Sequence, residues 1–413
     1  MGSKYRNSFF DSKRDWSRYK DSLLDYYLVP YLQKVKEIGK PICIVDMFAG
    51  RGEFKTGEPG SPRIIANRLQ ELVTQGYRVK LRCYETHPPF YEHLAAVLTP
   101  FPFAEAVPKD CFSDVADIAT LASEYTTLLY IDPCDVVQLD LSKLSLIFDK
   151  VRQKSSVEAL IVFMARAFMR QAAVTRSLTM QLAEAGALDD PLVRDADEDD
   201  KAMWLEALYS SKTVMQYVQS QQYRALLSDI AGGDYWQSIV QDVSISWEEK
   251  CAKLVDDYRQ RLRDWFKLVE ALPVHSDDSA IPKYWVVFMS RYEPAFDLFN
   301  RAACDVIRTQ RQNFRNQSDM LFANVELPPE SAPPQTVDRA VKRAARSAVS
   351  IRWKELRWLT CGNRNVGRFT DGEANQAIKR MLKSGWLSGA SGDKVEEESA
   401  LSPTAQLKLW LDR

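Results

Sequence analysis

Apolar positions along the chain change their period three times, and the changes divide it into parts. From about Tyr5 to Lys40, Leu23, Leu24, Tyr27, Leu28, Tyr31 and Leu32 recur at helical spacing. They predict an amphipathic entry segment over residues 1–40 that ends at Pro41. Short apolar runs follow: ICIVDMF at 42–48, VKLRCYE at 79–85, TTLLYID at 126–132 and ALIVFMA at 159–165, each separated by helical patterning. Apolar strands that alternate with helices predict a parallel sheet covered on both faces. A weaker run leads up to Asp110, and YWVVFMS at 284–290 is expected to return to the same sheet. The fold class is therefore α/β, with a Rossmann-like domain over 41–169 and 280–323.

Between 170 and 279 the pattern changes to long helical stretches with an acidic segment, DDPLVRDADEDD, and tryptophans at 204, 236, 247 and 265. This reads as a helical insertion or lid. The stretch NVELPPESAPPQT at 324–336 is rich in proline and poor in apolar residues, which predicts a linker and a separate module over 337–413. Within that module, TDGEANQAIKRMLKSGWLSGASGD predicts a capped helix, a glycine stop and a turn-linked strand pair. That is the pattern of a winged-helix-like module.

Composition narrows the chemistry. With 413 residues, 46% hydrophobic and 27% charged, the chain can bury a large core and has the make-up of an ordinary globular protein. The polar start, MGSKYRNSFFDSKRD, has no signal-peptide pattern, and the apolar runs fall short of the ~20 residues of a spanning helix. A cytoplasmic protein with no membrane partner is expected. The seven cysteines (Cys43, Cys83, Cys111, Cys134, Cys251, Cys304, Cys361) never form a CxxC pair, and the three histidines are dispersed. Neither a disulfide framework, nor a zinc site, nor an obvious Ser-His nucleophile is supported. A net charge of -1 gives no global field for a polyanion, so contact with nucleic acid would need a local patch.

The densest constellation is Asp46-Met47-Phe48-Ala49-Gly50-Arg51-Gly52, directly after the run ICIV. Small residues at 49, 50 and 52 let backbone turn tightly and approach a ligand, and an acid at the strand end suits a cofactor with an ammonium group better than a pyrophosphate. An ordinary tight turn is the alternative. Glu85 ends the second run, where a carboxylate can accept from both ribose hydroxyls; a solvated strand-end acid is the alternative. Asp110 is a candidate for the adenine amino group or for a helix cap. Asp132 and Pro133 follow the strand LLYI at the edge where acceptors meet cofactors. A carboxylate and a proline-flanked carbonyl there can accept the hydrogens of an amine being methylated, although Asp-Pro also starts turns.

Together with these motifs, Tyr5-Arg6-x-Ser8-Phe9, Lys20, GSPRIIANRL at 60–69, YETHPPFYEHL at 84–94, KDCF and YIDP resemble the bacterial 23S rRNA adenine-N6 methyltransferase family. They resemble still more its relative, the three-Cys-motif partner (TcmP) family, over roughly residues 5–170. YWVVFMS and the C-terminal module also fit the TcmP relatives. The resemblance implies a class I methyltransferase domain with an S-adenosylmethionine site built from Asp46, Ala49, Gly50, Gly52, Glu85 and Asp110. Lys20 would lie near the methionine carboxylate, and Ser61 and Pro62 beside the site.

In the rRNA enzymes the Asp-Pro pair belongs to a DPPY-type motif whose aromatic stacks on a flipped adenine. Cys134 and Asp135 stand there instead, and an aspartate cannot supply a stacking contact worth ~1–3 kcal/mol. Tyr5 is a candidate to stack from the entry segment. A thiolate role for Cys134 is disfavoured by Asp132 and Asp135, which would raise its pKa.

Positive charge gathers in the C-terminal module. Arg352, Lys354, Arg357, Arg364 and Arg368 precede the capped helix, and Lys379, Arg380 and Lys383 lie on it. Such a patch can meet phosphates, and a solvated face or a protein-docking module is the alternative. Two functions follow: a methyltransferase acting on an RNA or DNA base, adenine-N6 first, or a non-catalytic Rossmann scaffold that partners a three-Cys-motif protein.

Overall fold

The structure is a computed structural model, and it describes residues 13, 15–152, 156–179, 221–275, 282–318, 332–389 and 398–410. The chain divides into two compact units: residues 1–16, 40–269 and 273–289 form the first, and 17–39, 270–272 and 290–413 the second.

A seven-stranded sheet runs in the order β3-β2-β1-β4-β5-β7-β6, and the first unit carries all of it but residues 270–272 of β6 and Ser290 at the end of β7. Its strands are β1 (Ile42–Asp46), β2 (Val79–Tyr84), β3 (Ala104–Val107), β4 (Thr126–Ile131), β5 (Val157–Phe163), β6 (Leu268–Val274) and β7 (Tyr284–Ser290). Strands β1 to β5 pair in parallel, and β7 runs antiparallel to β5 with Phe163 opposite Trp285. Every residue of β1, β4, β5 and β7 is buried, as expected of a sheet covered on both faces, and this is why these strands read as unbroken apolar runs. The reversal of direction from β1 outward to β2 and β4 leaves a crevice at the carboxyl ends of the strands, the usual ligand position in such sheets.

Helices α2 (Ser61–Thr74), α3 (Pro88–Leu98), α4 (Val115–Glu124) and α5 (Leu141–Val151) make the crossovers. After β5 come α6 (Ala165–Thr179), α7 (Gln221–Ala231), α8 (Trp236–Gln241) and α9 (Trp247–Leu262). Within the expected insertion, the described residues 221–262 are mainly helical, while its acidic segment and Trp204 lie outside the described residues. Tyr258 of α9 stacks on Phe163 of β5 with ring centroids 4.3 Å apart, so this helical part is continuous with the core. The expected insertion is corrected at its end, because residues 268–274 form edge strand β6 rather than helix.

The second unit contains α1 (Asp15–Val35, from Ser17 on) and α10 (Pro294–Ser318). Tyr27 stacks on Tyr31 at 5.6 Å and meets Phe299 edge-on at 5.9 Å, which accounts for the helical apolar period of the entry segment. Gly39, at φ 75°, closes the turn after α1 two residues before Pro41. The sequence division put 280–323 with the Rossmann-like domain; the structure groups α10 with the C-terminal part instead. Three further helices, α11 (Pro334–Ala345), α12 (Trp353–Cys361) and α13 (Asp371–Lys383), accompany a three-stranded antiparallel sheet. Its order is β8 (Ile351–Arg352), β10 (Ala400–Pro403), β9 (Leu387–Gly389). A short helix, α14 (Ala405–Lys408), follows. The expected capped helix and glycine stop are α13 and Gly385, at φ 73°. The expected linker at 324–336 lies outside the described residues up to 331, and α11 already begins at Pro334.

Candidate cofactor site

Backbone hydrogen bonds fix the turn after β1. Met47 N donates to Tyr130 O at 2.9 Å, and Ala49 N to Tyr84 O at 2.9 Å. The turn is thereby pinned between the ends of β4 and β2, and its flanks are Glu85, next after Tyr84, and Asp132, two beyond Tyr130. Gly50 and Gly52 adopt φ of 62° and 82°, where a side chain would be strained. A Cβ on Gly52 would in addition press to 3.2 Å against Leu94 and Val97 of α3. Gly60 N donates to Gly52 O at 2.9 Å, closing residues 53–59 into a flap whose Phe54 packs on Phe90.

Asp46 is fully buried. Its Oδ2 accepts from Ser61 Oγ at 2.7 Å and its Oδ1 from Phe48 N at 3.3 Å. Ser61 opens α2, so the carboxylate also sits at a helix N-terminus, where negative charge is stabilised. Closed from solvent, Asp46 holds the turn to the start of α2 and does not lie open to a ligand's ammonium. Pro62, likewise buried, is the second residue of α2.

Glu85 is half-buried, and its Oε1 accepts from His87 N at 2.7 Å, which orients the carboxylate. Its other oxygen makes no hydrogen bond among the described residues. Asp110 is exposed and caps the 3-10 turn Cys111–Asp114 by accepting from Phe112 N at 3.0 Å, so of the two roles open to it the cap is made. Lys20 lies half-buried on α1, which belongs to the second unit. Tyr5 lies outside the described residues.

At the end of β4, Asp132 is half-buried, Pro133 buried, and Cys134 and Asp135 exposed. Gln138 Oε1 accepts from Cys134 N at 3.0 Å and Asp135 N at 3.2 Å, while Asp135 Oδ1 accepts from Val137 N at 3.3 Å. This reciprocal cap consumes Asp135 in its own turn. The two backbone donors it ties down also make the loop rigid.

Sequence reasoning missed several contributors. Phe48 and Phe112 meet edge-on at 6.2 Å, with Lys143 Nζ 5.3 Å from the Phe112 centroid, forming an aromatic wall beyond Asp110. Buried Lys13 donates to Pro59 O at 2.8 Å and tethers the flap from the N-terminal segment. Glu53 of the flap pairs with Arg63. None of these contacts has a local signature in sequence. The cysteines near the sheet are buried, and burial pushes the Cys43 thiol up to about 12 and raises Cys83 and Cys111 as well, the latter helped by Asp110.

Of the basic residues in the second unit, Arg357 is buried and pairs with Asp297 at 2.8 Å. Arg352 pairs with Glu355 and Glu398, Lys354 with Glu398, and Arg380 with Asp338. Arg364, Arg368, Lys379 and Lys383 are exposed, and none of them has an ion-pair partner among the described residues. No group of three or more His, Cys, Asp or Glu among the described residues could hold a metal ion. No described helix is long and apolar enough to cross a membrane.

No protein-family model and no curated protein matches the chain. Among solved structures it is similar to a Legionella pneumophila protein of family DUF519, at 17% identity over 37% of this chain and 68% of that one, TM-score 0.29. It is also similar to the plantazolicin methyltransferase BamL in complex with a triazolic desmethylPZN analogue and SAH, at 12% identity over 70% and 91%, TM-score 0.29. A chain of a fibrillarin/Nop5p complex shares 14% identity over 35% and 60%, TM-score 0.23. Likenesses of this size carry no argument about chemistry, and the Rossmann-like assignment stands on the strand order.

Proposed function

We propose that the chain is an S-adenosylmethionine-dependent methyltransferase whose acceptor is an exocyclic amine of a nucleic-acid base, adenine N6 first. The observation that carries this reading is the turn after β1, tied by Met47 N to Tyr130 O and by Ala49 N to Tyr84 O, the residues just ahead of Asp132 and Glu85, at the carboxyl edge of a sheet ordered β3-β2-β1-β4-β5-β7-β6 with β7 antiparallel. That order and that reversed strand are those of class I methyltransferase sheets.

The residues fit the cofactor. Gly50 and Gly52 keep side chains away from the turn, Glu85 has one carboxylate oxygen left for ribose hydroxyls, and Phe48 and Phe112 offer an apolar wall for a purine. When bound, S-adenosylmethionine supplies an electrophilic methyl group. Asp46 acts through the loop that it fastens to Ser61. Asp132 accepts a hydrogen bond from the acceptor amine, which turns the nitrogen lone pair toward the methyl group, and Pro133 rigidifies the strand end that presents the carboxylate. The second unit supplies a substrate-holding module of winged-helix-like make-up, three helices and a small antiparallel sheet.

Asp132→Ala tests the assignment. It is expected to abolish methyl transfer to adenine-containing DNA and RNA while cofactor affinity stays unchanged; turnover equal to wild type refutes it. The scaffold reading, a partner of a three-Cys-motif protein, is favoured by one observation: Asp135, where an adenine enzyme carries an aromatic, is spent on a cap.

A further inference from the structure

Helix α13 leaves one side uncovered. Ala374, Ala377, Ile378 and Met381 bury one face, and Trp353 Nε1 donates to Asn375 at 2.7 Å to fix the rotation of the helix. Gly372, Gln376, Lys379 and Lys383 are all exposed, at spacings of four, three and four residues, so they form a single stripe along the axis.

The stripe carries no acid. The acids of the first turn face other partners, Asp371 pairing with Arg301 at 2.9 Å and Glu373 with Arg308 at 3.3 Å. The loop leading into the helix adds exposed Arg364 and Arg368. A Cβ on Gly372 would meet only the Thr370 hydroxyl, at 3.9 Å, so the stripe begins with open space. Arg352, Lys354, Arg357 and Arg380 are tied up internally, so Arg364, Arg368, Lys379 and Lys383, together with exposed Arg346 and Lys408, are left to meet a polyanion.

We propose that the Gly372–Gln376–Lys379–Lys383 stripe of α13 is a docking surface that enters the major groove of B-form DNA. An α-helix with side chains is about 10–12 Å across, and the B-DNA major groove is about 12 Å wide. The A-form RNA major groove is too deep and narrow to be read this way. Lysines one turn apart reach phosphates or guanine edges, and glutamine suits adenine. The net charge of -1 does not oppose this, because the attraction comes from a local face. The inference deepens the nucleic-acid reading proposed above but needs no cofactor.

The test is fluorescence anisotropy of the full chain, without cofactor, on a mixed-sequence B-DNA duplex, the matching RNA duplex and the single strands, each across a salt series. Wild type is expected to prefer the DNA duplex. Lys379→Glu with Lys383→Glu is expected to weaken it about tenfold or more and to lower the slope of log affinity against log salt by about two. A control with the same charge change on exposed lysines of the first unit, Lys150→Glu with Lys253→Glu, is expected to bind as wild type. Circular dichroism checks that both variants fold. Equal DNA binding by the α13 variant, an equal loss in the control, or tighter binding of RNA or of single strands overturns the proposal. Cofactor titration of the α13 variant, expected to match wild type, keeps failure here distinct from failure of the methyltransferase reading.

Discussion

At the scale of single residues, Asp46 decides whether the site exists at all. A fully buried carboxylate is tolerated only when its oxygens are satisfied, and here Ser61 Oγ and Phe48 N do so, with the start of α2 adding a favourable dipole. Asp46→Ala strands two donors in the interior and is expected to cost about 1–3 kcal/mol by urea denaturation. Ser61→Ala removes only one partner and should cost less. A Ser61→Ala loss as large as that of Asp46→Ala would contradict the anchoring role. In sequence Asp46 looks like a ligand for an ammonium group, because an acid at a strand end beside glycines is seen without its burial. Glu85 is half-buried, and one of its oxygens accepts from His87 N. Asp110 was ambiguous between ligand and cap for a physical reason: one side chain can serve both, and its backbone partner two residues on becomes visible only in the fold.

At the scale of elements, the buried strands were legible because both faces are covered, so that no polar alternation interrupts the apolar runs. Strand β6 was hidden. Three of its residues are only partly buried, it lies at the sheet edge, and Pro273 and Glu270 break the apolar run. The flap at 53–59 was equally hidden, since Lys13 and Phe90 hold it from far away in sequence.

Within the second unit, Asp297 joins α10 to α12 through Arg357 and Trp358 Nε1, the latter at 3.1 Å. Asp297→Ala leaves the buried guanidinium of Arg357 without this partner, and denaturation is expected to report a loss of about 3–5 kcal/mol. A loss below about 1 kcal/mol, the value of a surface pair, would show that the pair does not join the helices. Burial raises the Asp297 pKa more than Arg357 and Trp358 lower it. Titration of this group therefore favours the folded state most below the unfolded carboxylate pKa, and that contribution fades as pH rises through the folded value.

At the scale of the molecule, the two proposed roles fall on separate units: the cofactor role on the strand edge of the first, and the DNA-docking role on α13 of the second. The charge balance hides this division, since acids and bases nearly cancel over the whole chain. The central claim concerns the first unit, that its turn after β1 clasps the methionine and ribose parts of S-adenosylmethionine. Isothermal titration calorimetry of wild type and Glu85→Ala with S-adenosylmethionine tests it most directly. Saturable binding by wild type is expected, weakened about tenfold or more in Glu85→Ala, as for loss of a charged hydrogen-bond acceptor. No heat of binding in wild type, or equal affinity in the variant, would contradict the account.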